Sequence, residues 1–148
     1  MEIEFRNLAG NRLEAGLAAF LEPEVAAGRR ALVLCGSRER LDAVNLGLWT
    51  YDPASFLPHG AAADGYAERQ PVLLSTEDAN PNGAAVLALL DDADVTDPER
   101  FERCCVFFDR NDPTARDAAR ARWRRYQAAG RQPIYWEYKA QGWERRAG

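Results

Sequence analysis

The clearest chemistry in this 148-residue sequence lies in one stretch rich in arginine. From Arg116 to Arg131 six arginines stand against one acid, Asp117, a local balance of six minus one, +5, in a chain of net charge −4. At about 100° per residue on a helix, Arg116, Arg120 and Arg124 recur at i, i+4 and i+8, and Trp123 falls in the same stripe. Arginine's planar fork holds carboxylates and phosphates bidentately, which a lysine point charge does not. An exposed tryptophan among such cations is costly unless it packs or binds something. Together they suit an anionic ligand with an apolar or aromatic end. The plain alternative is a solvated face whose arginines balance acids elsewhere. Arg122 and Arg125 lie off the stripe and should matter little to it, while Ala115, Ala118, Ala119 and Ala129 offer a small-residue side for docking.

The remaining candidates for chemistry are weaker. Cys35-Gly36-Ser37 follows an apolar run, where α/β domains bind nucleotides, but it offers one glycine and no lysine, short of a P-loop or dinucleotide fingerprint. It keeps open an alternative, a small nucleotide-binding or enzymatic α/β domain. Cys35 could act as a nucleophile at a helix N-terminus, or simply fill space. His59 is the only histidine and has no metal-spaced partner; Asp91, Asp92 and Asp94 read as a solvated turn before they read as a cation site. No catalytic set, metal site or cofactor is expected. Trp49, Tyr51, Phe56, Leu57 and Pro58 crowd one short segment, either as a lid folded onto the sheet or as a protein-binding patch.

These residues need a scaffold, and composition bounds it. Hydrophobic residues at 47% and charged residues at 28% describe a globular chain able to bury a core. Three cysteines, two of them adjacent, fit a reducing compartment, and the N-terminus has no signal-peptide core, so the expected location is the cytoplasm. No apolar run approaches the ~20 residues that span a bilayer. Periodicity predicts a half-buried strand over 2–8, and a helix capped by Asn11 that runs to about Gly28 with a kink or restart at Pro23. A buried strand over 30–37 and a helix over 38–48 with apolar contacts at Leu41, Val44, Leu46 and Leu48 come next. A long loop over 49–70 separates these from strands at 71–75 and 84–90, the second of which the pattern alone leaves open between helix and strand. A short helix near 98–103, a strand over 104–109, the arginine helix from Asp112 or Thr114 to Ala129, and an edge strand over 133–138 complete the pattern. The fold class is α/β, a Rossmann-like three-layer fold with a mainly parallel sheet flanked by helices, in a single domain whose tail frays from about residue 139.

LWTYDPASFLPHG at 48–60, QPVLLS at 70–75, NPNGA at 80–84 and RARWRRYQAAG at 120–130 together resemble the chi subunit of bacterial DNA polymerase III, over most of the chain from the first strand to about Gly130. The resemblance implies a non-catalytic adaptor of the replication holoenzyme. One surface would grip the acidic C-terminal tail of single-stranded DNA-binding protein; carried over by position, it comprises Arg116, Arg120, Trp123 and Arg124. A second, around Trp49 and Phe56, would meet the psi subunit or another clamp-loader or helicase partner. DNA would be reached only indirectly, and direct binding of single strands by the arginines and aromatics is disfavoured by the net acidity.

Overall fold

A computed structural model describes residues 1–50, 58–61, 65–140 and 142–146. Among them, eight strands form one sheet. In chain order the elements are β1 (Glu2–Asn7), α1 (Leu13–Ala26), β2 (Ala31–Leu34), α2 (Arg38–Thr50), β3 (Gly60–Ala61) and β4 (Val72–Ser75). They continue with β5 (Val86–Leu89), β6 (Arg103–Phe108), α3 (Pro113–Ala128), β7 (Ile134–Lys139) and β8 (Gly142–Arg146). The strand order is β3-β4-β2-β5-β6-β1-β7-β8, with every pairing parallel except the last.

The central strands are short continuous apolar runs because both of their faces are covered. On one face Val33, Leu74, Ala88, Cys105 and Phe107 pack beneath α1 and α2, which contribute Leu17, Leu21, Leu41 and Val44. On the other, Leu32, Leu34, Leu87, Leu89 and Val106 lie beneath Ala119 and Trp123 of α3, with Val95 and Phe101 from the β5–β6 connection. The chain is thus α/β, with helices on both sides of a mostly parallel sheet. Each leucine fully removed from water contributes about 1.5–3 kcal/mol before conformational entropy is counted. No helix among the described residues is long and apolar enough to cross a membrane.

Several sequence expectations need correction. The alternation in β1 does not mark a strand with one wet face: β1 lies between β6 and β7, and both Glu4 and Arg6 are buried. They are tolerated because they pair. Glu4 binds Arg6 and Arg103, Arg103 also binds Glu24, and the Arg6 guanidinium lies 4.1 Å from the centre of the Trp136 ring and 4.8 Å from that of Phe20. Asn11 does not cap α1. Its amide donates instead to the carbonyls of Leu8 and Tyr138, and the helix runs as one element through Pro23. Leu46 is exposed, and the 49–70 segment contains the two-residue β3.

At the other end of the chain, the stretch expected to fray from about 139 instead forms β8 over 142–146, antiparallel to β7, so β7 is not an edge. The cause is Trp143. Its ring packs edge-on against Phe107 at 5.8 Å and its Nε1–H donates to the Gly16 carbonyl at 2.9 Å, fastening a charged segment to the α1 layer.

Candidate functional site

Helix α3 starts where its sequence says it should. Asp112 accepts the backbone N–H groups of Thr114 and Ala115, Pro113 occupies the first turn, where its missing N–H is not needed, and Gly130 at φ +83° leaves the helix in a left-handed conformation. Of the four alanines expected on its docking side, Ala119 is buried and Ala115 partly buried. Ala118 and Ala129 are exposed, and the helix docks through Ala119, Arg122, Trp123 and Tyr126, spaced i, i+3, i+4 and i+7. Trp123 is accordingly half-buried: its ring meets Phe5 edge-on at 5.1 Å and Tyr135 at 6.4 Å.

Arg122 and Arg125 turn away from the predicted stripe, as their spacing implies. Arg122 donates to the Ala93 carbonyl at 2.9 Å and pairs with Asp94 at 3.1 Å, with 11% of its side chain exposed; Arg125 lies 3.7 Å from the same carboxylate. These two tie α3 to the β5–β6 connection. The exposed Arg125 pair adds little, whereas the mostly buried Arg122 fastens the helix and has a part in the fold that its off-stripe position did not suggest.

Arg116, Arg120, Trp123 and Arg124 line one pocket of about 320 Å³ between α3 and the sheet. Its apolar floor is Phe5, Phe108, Trp123 and Tyr135, and its rim carries Arg110, Arg116, Arg120 and Arg124. Arg116 leans on Asp117 at 3.2 Å. Arg110, Arg120 and Arg124 have no carboxylate partner among the described residues, in a chain where most other arginines do. Unbalanced guanidinium groups around an apolar floor attract an anion that carries a ring or an alkyl group. Arg110, Tyr135, Phe5 and Phe108 escape a reading by helical spacing because they come from β1, β6, β7 and the β6–α3 turn. The parallel register that sets Phe5 opposite both Val106 and Tyr135 brings them together.

The other candidates fall elsewhere. Trp49 is half exposed at the end of α2, on the opposite layer from α3, and its ring stacks against His59 with centres 4.2 Å apart. Phe56 lies outside the described residues. Around Cys35, the Ser37 hydroxyl accepts the Arg40 N–H of α2, and a side chain added at Gly36 would meet Asp91 Cβ at 3.1 Å. Burial, helped by Asp91, pushes the Cys35 thiol up to about 12, so no thiolate is at hand. The crevice beside it, about 610 Å³ at the carboxyl ends of the strands, presents Asp91, Asp92, Asp94, Asp109 and Asp112 against three arginines, Arg40, Arg122 and Arg125, that already pair with Asp91 and Asp94, a net-acidic lining that disfavours a phosphate. Among the described residues no group of three or more potential ligands is placed to hold a metal ion.

Comparison with known proteins agrees with the motifs. The family model described as "DNA polymerase III chi subunit, HolC" matches residues 1–133. A protein of Rickettsia prowazekii (strain Madrid E), named probable DNA polymerase III subunit chi, is 32% identical over 66 residues, 45% of this chain and 40% of the relative's length. The chain belongs to the DNA polymerase III chi subunit family.

Proposed function

From that membership and the α3 pocket together, we propose that the protein is a non-catalytic accessory subunit of the polymerase III holoenzyme in the cytoplasm. It bridges the clamp-loader complex to single-stranded DNA-binding protein by holding the acidic C-terminal tail of the latter. The observation that carries this reading is the apolar pocket rimmed by four arginines, three of them without an acid partner among the described residues. A tail of acidic residues ending in an aromatic and a free carboxylate matches it group by group. The terminal ring fits the floor made by Phe5, Phe108 and Trp123, Arg120 clamps the terminal carboxylate, and Arg116 and Arg124 meet the upstream acids.

The second surface, around Trp49 and Phe56, serves a psi subunit or another clamp-loader or helicase partner. The exposed Leu46, one helical turn before Trp49, adds apolar area in support. DNA is reached through the single-stranded DNA-binding protein, in keeping with the chain's net charge of −4. The nucleotide-binding alternative at Cys35-Gly36-Ser37 loses weight, because Ser37 is engaged in capping α2 and five aspartates line the adjoining crevice.

The test is a titration of fluorescent peptide, Asp-rich and ending in phenylalanine, into the wild-type protein and the Arg120→Ala variant. Saturable binding that the substitution weakens at least about tenfold supports the reading. No binding by wild type, or equal binding by both, removes it.

A further inference from the structure

Asn7, at the carboxyl end of β1, is fully buried, and its side chain makes three hydrogen bonds. Its Oδ1 accepts the backbone N–H of Ala9 at 2.9 Å and that of Arg110 at 3.0 Å, while its Nδ2 donates to Tyr135 Oη at 2.9 Å. The orientation of this amide is fixed by chemistry. A backbone N–H can only donate, so the atom that receives two of them is the oxygen, and the other must be the NH₂ group. In the bond with Asn7 the Tyr135 hydroxyl is therefore the acceptor, and its own hydrogen is left over. Among the described residues no group accepts that hydrogen, and the tyrosine lines the α3 pocket.

The same amide also sets the pocket's other off-helix group. Arg110 stands in the turn between β6 and α3, and the bond from its backbone N–H to Asn7 holds that turn against the end of β1. One buried side chain thus fixes the strand that carries the phenol and the turn that carries the fourth rim arginine.

We propose that Tyr135 is a ligand-contacting residue of the pocket, giving its hydroxyl hydrogen to the terminal carboxylate of the bound tail, and that Asn7 is the positioning residue that leaves this hydrogen free to do so. The inference rests on the tail-binding reading of the pocket. A hydroxyl hydrogen that no protein group among the described residues takes up is free for an acceptor on a ligand in the pocket, and an acidic tail supplies carboxylates. The terminal carboxylate is the one within reach. The terminal ring fills the floor between Phe5, Phe108 and Trp123, the last two with rings 6.4 Å from that of Tyr135, and the carboxylate is borne by the same Cα that carries the ring's methylene.

A binding cycle separates this role from a merely structural one. An Asp-rich peptide ending in phenylalanine, once with a free carboxylate and once amidated, is titrated by fluorescence anisotropy into wild type and Tyr135→Phe. The free-acid peptide should lose about tenfold in affinity on substitution and the amidated peptide no more than about threefold, because a hydrogen bond to a charged acceptor is the stronger one. A loss of packing or partial unfolding would weaken both peptides by the same factor, and that result overturns the proposal. So does an unchanged affinity for both. If wild type does not bind the free-acid peptide at all, the tail-site reading itself fails and the inference goes with it.

Discussion

Arg120 and Arg125 stand five residues apart on one helix and face different surroundings. Arg125 reaches Asp94, while Arg120 projects over the pocket without an acid partner among the described residues. Arg125→Ala should therefore change tail-peptide affinity by less than about twofold, against the tenfold loss expected for Arg120→Ala, since exposed ion pairs contribute little. Arg122→Ala belongs to a third class. Its guanidinium is mostly buried on the Ala93 carbonyl and Asp94, so urea unfolding should show a stability loss of about 2–3 kcal/mol.

Glu4 is the residue whose titration should be visible in the whole molecule. Burial pushes its carboxyl up, but hydrogen bonds and charge from Arg103 and Arg6 outweigh this and hold it at about 2, against 4.5 for the free group. A folded-state value below the unfolded one means the stabilisation is complete above pH 4.5 and is lost as pH falls through 2. Its full extent is about 3 kcal/mol. Stability measured in urea should fall across that window, and Glu4→Gln should flatten the dependence while costing about 3–5 kcal/mol at neutral pH, because it leaves two guanidinium groups facing a neutral amide.

Among the elements, α3 carries three of the four rim arginines of the pocket. Asp112→Ala removes the acceptor of two N–H groups in its first turn and should cost about 1 kcal/mol, read as a drop of a few degrees in the thermal midpoint. The same helix shows what sequence can reveal. Its cap, its stop at Gly130 and the stripe of Arg116, Arg120, Trp123 and Arg124 were legible because each depends on neighbours within one or two turns. So were the buried strands β2, β4 and β6, whose apolar runs are uninterrupted, while the run that became β5 was legible as buried but not, from pattern alone, as a strand. What was not legible depends on partners far away in the chain. Glu4 and Arg6 looked like a wet face because the residues that neutralise and cover them, Arg103, Glu24, Phe20 and Trp136, come from other elements. Strand β8 looked like a loose tail because its anchor, Trp143 on Gly16, spans 127 residues. The floor of the pocket was hidden for the same reason.

For the molecule as a whole, the sheet keeps two surfaces apart. Trp49 and Leu46 belong to the α2 layer and the arginine pocket to the α3 layer, so a ligand on one would not overlap the other, as the proposed bridge requires. Charge is divided in the same way, with a cationic rim on a chain of net charge −4. Binding of an acidic peptide at the rim should weaken several-fold as salt rises from about 0.05 to 0.5 M, since the arginines are largely exposed and screened.

The most direct test of the tail site is a titration of isotopically labelled protein with the Asp-rich, phenylalanine-terminated peptide, followed by backbone amide NMR. Saturable shifts are expected, centred on residue 110, on 116–127 and on residue 135, with little change around Leu46 and Trp49. Shifts centred instead on Leu46 and Trp49, or on the aspartate-lined crevice near Asp91, would contradict the tail site.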